Sequence, residues 1–189
     1  MKTAFLIVFA VVNSLFLSAQ QSTPPAQAPV QPTDQQLNPP PPPPPYITNP
    51  TIPPFHLLKT DSASFLTKDD LKKNRRTLIM FFSPDCDHCK HQTKAILDSL
   101  DKLGNIQIVM ATYQPFGEMK DFYKNFRLSD HPNIMIGRDE KYFLVPFFRI
   151  RNLPYLALYD KKGNLITTFE GTQYVVNLAK AFQQEGQKQ

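Results

Sequence analysis

Thr77-Leu78-Ile79-Met80-Phe81-Phe82-Ser83-Pro84-Asp85-Cys86-Asp87-His88-Cys89-Lys90 is the stretch on which the fold turns. Its first six residues form an uninterrupted apolar run of buried-strand length. Beyond it, Cys89, Ile96, Leu100 and Leu103 recur at helical spacing, and Gly104 follows as a stop signal. The only two cysteines in 189 residues therefore sit where a buried strand passes into the first turn of a helix, predicted over 86–103.

That position has a chemical consequence. A helix N-terminus carries partial positive charge and unsatisfied N–H groups, and both favour a thiolate over a thiol. Cys86 comes first and is the expected nucleophile. Cys89, one turn along the same face, is placed to attack a mixed disulfide and release the product. A protonated His88 adds positive charge, and Asp85 and Asp87 oppose it. A purely structural bridge gains little here: so small a loop contributes ~2 kcal/mol, against ~4.7 kcal/mol for a loop of about a hundred residues. A metal or copper site built from Cys86, His88, Cys89 and His91, or drawing on His131, is the other alternative. On a helix the two cysteines lie within about 60° of each other, and the two histidines within about 60° on a different side. No second cysteine pair completes a tetrahedral site. A redox-active Cys86–Cys89 disulfide is thus the preferred reading, with no metal and no bound cofactor.

Upstream, Met1-Lys2-Thr3 and a mostly apolar 4–17, followed by Ser18 and Ala19, form a secretory signal pattern cut near Ala19. The run is short for a membrane span; retention as an N-terminal anchor is the alternative, and the only route to membrane association. Fourteen of the nineteen prolines fall between Pro24 and Pro54, so 20–54 is expected to be an extended proline-rich linker. Residues 55–189 are then one domain with room for a core. The formal charge of +5 is modest. The basic cluster Lys72-Lys73-Asn74-Arg75-Arg76 is expected to be a solvated helix terminus, and no nucleic-acid partner is expected.

Within that domain, strands are expected at 55–60, with a short return at 64–66, and at 77–82, 106–111, 133–136, 155–159 and 165–170. Thr67 caps a short helix over 68–73. Met119, Phe122, Tyr123 and Phe126 form a helical stripe, and a last amphipathic helix covers 174–184. Asp160-Lys161-Lys162-Gly163-Asn164 is a hairpin turn. The aromatic cluster at 143–150 is core, or else part of a groove beside the thiols. This order predicts an α/β fold with a central mixed sheet flanked by helices.

The chain resembles the thioredoxin superfamily. The resemblance is carried by Cys86-Asp87-His88-Cys89-Lys90, by Phe148-Arg149-Ile150-Arg151-Asn152-Leu153-Pro154 before an apolar strand, and by the closing hairpin, glycine and helix. The strands before Thr77 and the insertion before the second motif resemble the extracytoplasmic redoxin branch of bacteria. The resemblance implies a cis Leu153–Pro154 bond packed against the thiols, with Leu153 offering its backbone to substrate and His88 stabilising the thiolate. It also implies a periplasmic or secreted thiol–disulfide oxidoreductase that acts on cysteines of extracytoplasmic proteins and is served by a redox partner protein. A buried acid of the family is replaced by Met80, which favours the alternative of a thioredoxin-fold binding module on a proline-rich stalk.

Overall fold

The computed structural model describes residues 41–184. The signal at 1–19 and the linker over 20–40 lie outside the described residues. The described residues open with α1 (Pro45–Thr48) and a hairpin of β1 (His56–Leu58) and β2 (Phe65–Thr67). Then come β3 (Arg76–Phe81), α2 (Asp87–Leu97), α3 (Leu100–Leu103), β4 (Ile106–Thr112) and α4 (Phe116–Asn125). The remainder is β5 (Ile134–Arg138), α5 (Leu144–Phe148), β6 (Tyr155–Tyr159), β7 (Leu165–Glu170) and α6 (Val175–Gln183).

Seven strands make one mixed sheet in the order β2-β1-β5-β4-β3-β6-β7. Strands β3, β4 and β5 run parallel, while β6 lies antiparallel to β3 and β7 to β6. The hairpin β1–β2 extends the sheet through an antiparallel contact of β1 with β5. Because β3 is central, both its faces are buried, which is why its sequence is apolar without alternation. Leu78, Met80 and Phe82 point to one face, with Cys89, Ile96, Phe122 and Leu178. Ile79 and Phe81 point to the other, with Leu144, Phe147, Phe148 and Tyr155.

Three expectations need correction. The helix predicted over 86–103 breaks at Ser99, whose φ of −138° and ψ of 28° are not helical. Asp and Ser side chains compete with helical backbone bonds, and two such residues adjoin here. Gly104, at φ 69°, ends α3. The helix at 68–73 is a single 3₁₀ turn, Lys68–Asp70, fastened by the Asp70 carboxylate, which accepts from Thr67 N–H (2.7 Å) and Oγ1 (3.0 Å).

Residues 45–54 are not free linker. Tyr46 packs on Phe148, Ile52 N–H donates to Gly163 C=O (3.0 Å), Leu165 N–H donates to Pro50 C=O (2.7 Å), and Thr51 bridges to Asn164. The compact unit accordingly starts at Pro42 rather than at Phe55. Apolar Tyr46 and Ile52 give this stretch something to bury, which a pure proline run lacks. The aromatic cluster at 143–150 forms α5, whose first N–H groups, of Phe143 (3.1 Å) and Leu144 (2.8 Å), donate to buried Asp139. Its rings occupy the sheet face opposite Cys89, so they are core and do not line a groove beside the thiols.

The junction of hairpin and sheet is tight. A Cβ on Gly137 would stand 2.6 Å from Leu57 Cβ and 3.1 Å from Leu58 O. Neither atom is the tip of a flexible side chain, so the strands themselves must move. Gly137→Ala is expected to cost about 1–3 kcal/mol in urea unfolding. An unchanged midpoint would contradict this packing.

Candidate functional site

Strand β3 delivers the cysteine turn. Phe82 N–H still bonds to Ala111 C=O (3.0 Å), and the chain then turns, with Cys86 N–H donating to Ser83 C=O (3.2 Å). The Ser83 hydroxyl donates to the Asp85 carboxylate inside this turn. Cys86 is the N-cap of α2, half-buried, and its sulfur accepts from Cys89 N–H (3.3 Å). Its carbonyl accepts from Lys90 N–H (3.0 Å). Cys86 Sγ therefore takes one of the orphan N–H groups of the helix start, as a capping oxygen would.

Cys89, by contrast, is completely buried, and both cysteines are free thiols. Burial pushes the Cys89 thiol well up. Its hydrogen bond toward the Cys86 sulfur adds to this, and the Ser83 N–H opposes it. The exposed Asp87 carboxyl is held below the usual carboxylate range, first by its hydrogen bond from Lys90 Nζ (2.9 Å) and then by that ammonium's charge.

Antiparallel pairing places Phe81 opposite Tyr155, so the residues just past them, Phe82 and Pro154, lie at the same end of neighbouring strands. The cysteine turn and the 153–154 turn are thus brought together by the sheet register. The Leu153–Pro154 peptide is cis. Pro154 is buried, and its carbonyl accepts from Gly171 N–H (2.9 Å). Leu153 is half-buried against both core faces, and neither its N–H nor its C=O has a partner among the described residues. Asn152 Nδ2 donates to Glu170 (2.8 Å) and clips this turn to β7.

His88 and His91 are exposed on the first turns of α2, whereas His131 precedes β5, at the opposite end of the sheet. Among the described residues no three His, Cys, Asp or Glu side chains converge to hold a metal ion. Met80 is fully buried in the same core face as Cys89.

One site residue escapes sequence reasoning. Gln92, one turn beyond Cys89, is fully buried, and its Oε1 accepts from Gln173 N–H (2.6 Å). Its Nε2 and the neighbouring Thr93 Oγ1 have no partner among the described residues. The bond to Gln173 ties the cysteine helix to the 171–173 segment, which in turn holds the Pro154 carbonyl. Polar residues at i+3 and i+4 from Cys89, where the buried helix face calls for apolar ones, are the signal that marks the place.

Residues 67–185 match the model of the thioredoxin-like domain. The chain belongs to the thioredoxin-like family. Solved structures share the fold of this thioredoxin-like chain at low identity. A secreted Mycobacterium tuberculosis disulfide oxidoreductase homologous to Escherichia coli DsbE is 14% identical, with a TM-score of 0.57, covering 69% of this chain and 95% of its own. StoA from Bacillus subtilis is 22% identical, with a TM-score of 0.54, covering 70% and 98%. The pneumococcal exposed lipoprotein thioredoxin Etrx1 of Streptococcus pneumoniae is 20% identical, with a TM-score of 0.53, covering 67% and 97%. No curated protein matches the chain in sequence.

The raised Cys89 thiol makes stability depend on pH in a definite direction. In the unfolded chain this thiol ionises near its ordinary value of 9.0, while in the fold it keeps its proton to higher pH. Above about pH 9 the unfolded state therefore binds fewer protons, and stability falls as pH rises. The dithiol form is expected to lose up to ~1.4 kcal/mol per pH unit between about pH 9 and 10 through this group. The disulfide form has no Cys89 thiol to titrate and is expected to show no such loss. Denaturant midpoints of both forms across that window check it; parallel curves would contradict it.

Proposed function

We propose that the protein is an exported thiol–disulfide oxidoreductase whose Cys86–Cys89 pair exchanges electrons with cysteines of extracytoplasmic proteins. The observation that carries the reading is the unequal pair at one helix end: an accessible Cys86 sulfur capped by an N–H, and a shielded Cys89 touching it. In the reducing direction, the Cys86 thiolate attacks one sulfur of a substrate disulfide. The substrate S–S bond breaks, a mixed disulfide forms, and the departing thiolate takes up a proton. Cys89 then gives up its proton and attacks the Cys86 sulfur. The Cys86–Cys89 bond forms, and the second substrate thiol leaves. The oxidising direction is the same sequence reversed, with a partner protein restoring the starting state.

Leu153 and Pro154 are the proposed substrate rim, since Leu153 has backbone groups to spare for an extended peptide. His88 is the proposed modulator of thiolate charge, and the signal pattern at 1–19 supports export, with retention as an N-terminal anchor the alternative. Alkylation of free thiols after mixing the reduced protein with insulin tests the reading. Two thiols of this chain are expected to disappear for each insulin disulfide cut. Survival of both thiols, here and against oxidised glutathione, would contradict it.

Met80, standing buried where the family carries an acid, favours a second reading as a binding module with incidental thiols. Partners retained by a Cys86→Ser/Cys89→Ser double variant, together with no exchange by the parent protein, would favour that reading.

A further inference from the structure

Positive charge from separate parts of the chain meets at the sheet end opposite the thiols. Lys68, Lys72, Lys73 and Arg75 come from the connection between β2 and β3, and Lys161 and Lys162 from the β6–β7 hairpin. Together they line a cavity of about 420 Å³, floored by Thr77 and Gln107 and bordered by Thr51 and Ile52. Asp69 is the only carboxylate on the lining. Among the described residues, Lys68, Lys72, Lys73, Arg75 and Lys162 form no ion pair. The cavity thus gathers several uncompensated cations.

A run of basic residues in a loop is ordinarily a solvated surface, and like charges drift apart where the chain allows it. Here the fold holds them in place. Buried Gln107 accepts from Lys72 N–H (2.9 Å), and its Nε2 donates to Lys72 C=O (3.1 Å) and to Thr77 Oγ1 (3.0 Å). That two-point clamp fixes the Lys72 peptide against the start of β4. Asn74 sits in the left-handed region at φ 56°, a conformation that non-glycine residues adopt at some cost. The hairpin lysines arrive independently, about ninety residues later in the chain. Segment convergence, clamped backbone and unneutralised charge together describe a receptor for an anion rather than a loop tip.

We propose that this cavity binds a phosphate-bearing anion: a soluble phosphate ester or the phosphate headgroup of an anionic lipid. A lone carboxylate would leave most of these cations unanswered. A phosphate group offers several oxygens to ammonium groups from different directions and a bidentate edge to the Arg75 guanidinium. Residues 78–82 lie between the cavity floor at Thr77 and the cysteine turn, about 16 Å of strand. An occupant therefore leaves Cys86 uncovered, and a headgroup seated there turns the thiols away from the lipid surface.

Titration of the full chain with pyrophosphate at fixed ionic strength tests the site. Lys72→Gln/Arg75→Gln is compared with Lys120→Gln/Lys124→Gln on α4, which removes the same charge from exposed positions elsewhere. The cavity variant is expected to bind at least about tenfold more weakly, as for losing one charge-assisted hydrogen bond, while the control changes less than about twofold. Lys162→Gln on the hairpin gives a second reading that leaves the 68–76 connection intact. Retained thiol exchange shows that each variant is folded.

A second arm measures association with phosphatidylcholine vesicles with and without phosphatidylglycerol; the neutral vesicles report any contribution of residues 1–19. Binding that needs phosphatidylglycerol and is displaced by pyrophosphate assigns a lipid headgroup. Pyrophosphate binding without it assigns a soluble ester. No pyrophosphate binding, or equal weakening in cavity and control variants, would overturn the proposal whatever the vesicles show.

Discussion

Cys86→Ser is expected to reduce disulfide exchange to the uncatalysed background, and Cys89→Ser to convert turnover into capture. The two outcomes differ because the two sulfurs are placed differently. Cys86 is the half-exposed sulfur at the tip of α2, so a visiting disulfide meets it first. A serine hydroxyl there is a far weaker nucleophile at neutral pH. Cys89 is sealed from solvent, and its N–H bonds to the Cys86 sulfur, so it is placed to attack that sulfur in a mixed disulfide. Its removal leaves the first attack intact and deletes the step that frees the product. Electrophoresis without reductant is expected to show Cys89→Ser joined to substrate, approaching one substrate per chain, and the bands to collapse when dithiothreitol is added. Equal activity of both variants and the parent would remove Cys86 and Cys89 from the reaction.

Phe82→Ala is expected to cost about 3–5 kcal/mol of unfolding free energy. Phe82 is fully buried where β3 ends and the cysteine turn begins. Its ring centroid lies 4.5 Å from that of Phe122, and Phe122's lies 4.4 Å from that of Phe126, so a row of tilted rings ties α4 to the strand that carries the site. The cavity left by the ring cannot be filled by backbone collapse, because Phe82 N–H is fixed to Ala111 C=O. Denaturant unfolding measures the loss; a change under about 1 kcal/mol would mean that α4 is not anchored this way. Exchange activity is expected to fall with stability, since the same strand end positions Cys86.

The parts of the fold that periodicity governs were legible in the chain. Strands β6 and β7 match the apolar runs at 155–159 and 165–170. The hairpin between them closes on Asp160, whose carboxylate accepts from Lys162 and Asn164 N–H while Gly163 takes φ 83°. The cysteines at a strand-to-helix junction were equally plain. What escaped depends on partners distant in sequence. The break at Ser99 interrupts an apolar spacing that continues on both sides, so the pattern alone extends the helix through it. The ordering of 45–54 requires the β6–β7 hairpin as a docking edge, over a hundred residues away. Gln92 stands out only as a polar residue on the face of α2 that should be apolar, and the partner that explains it, Gln173, lies eighty-one positions later. The basic stretch at 72–76 takes on a different meaning only when Lys161 and Lys162 are folded onto it.

Equilibration of the protein with glutathione redox buffers, with the Cys86–Cys89 state read by alkylation, shows whether the pair is redox-active. One two-electron transition between fully dithiol and fully disulfide protein is expected, with a potential between about −120 and −270 mV, the span of known exchange catalysts. A pair that stays reduced, or stays oxidised, across the whole buffer range would contradict it.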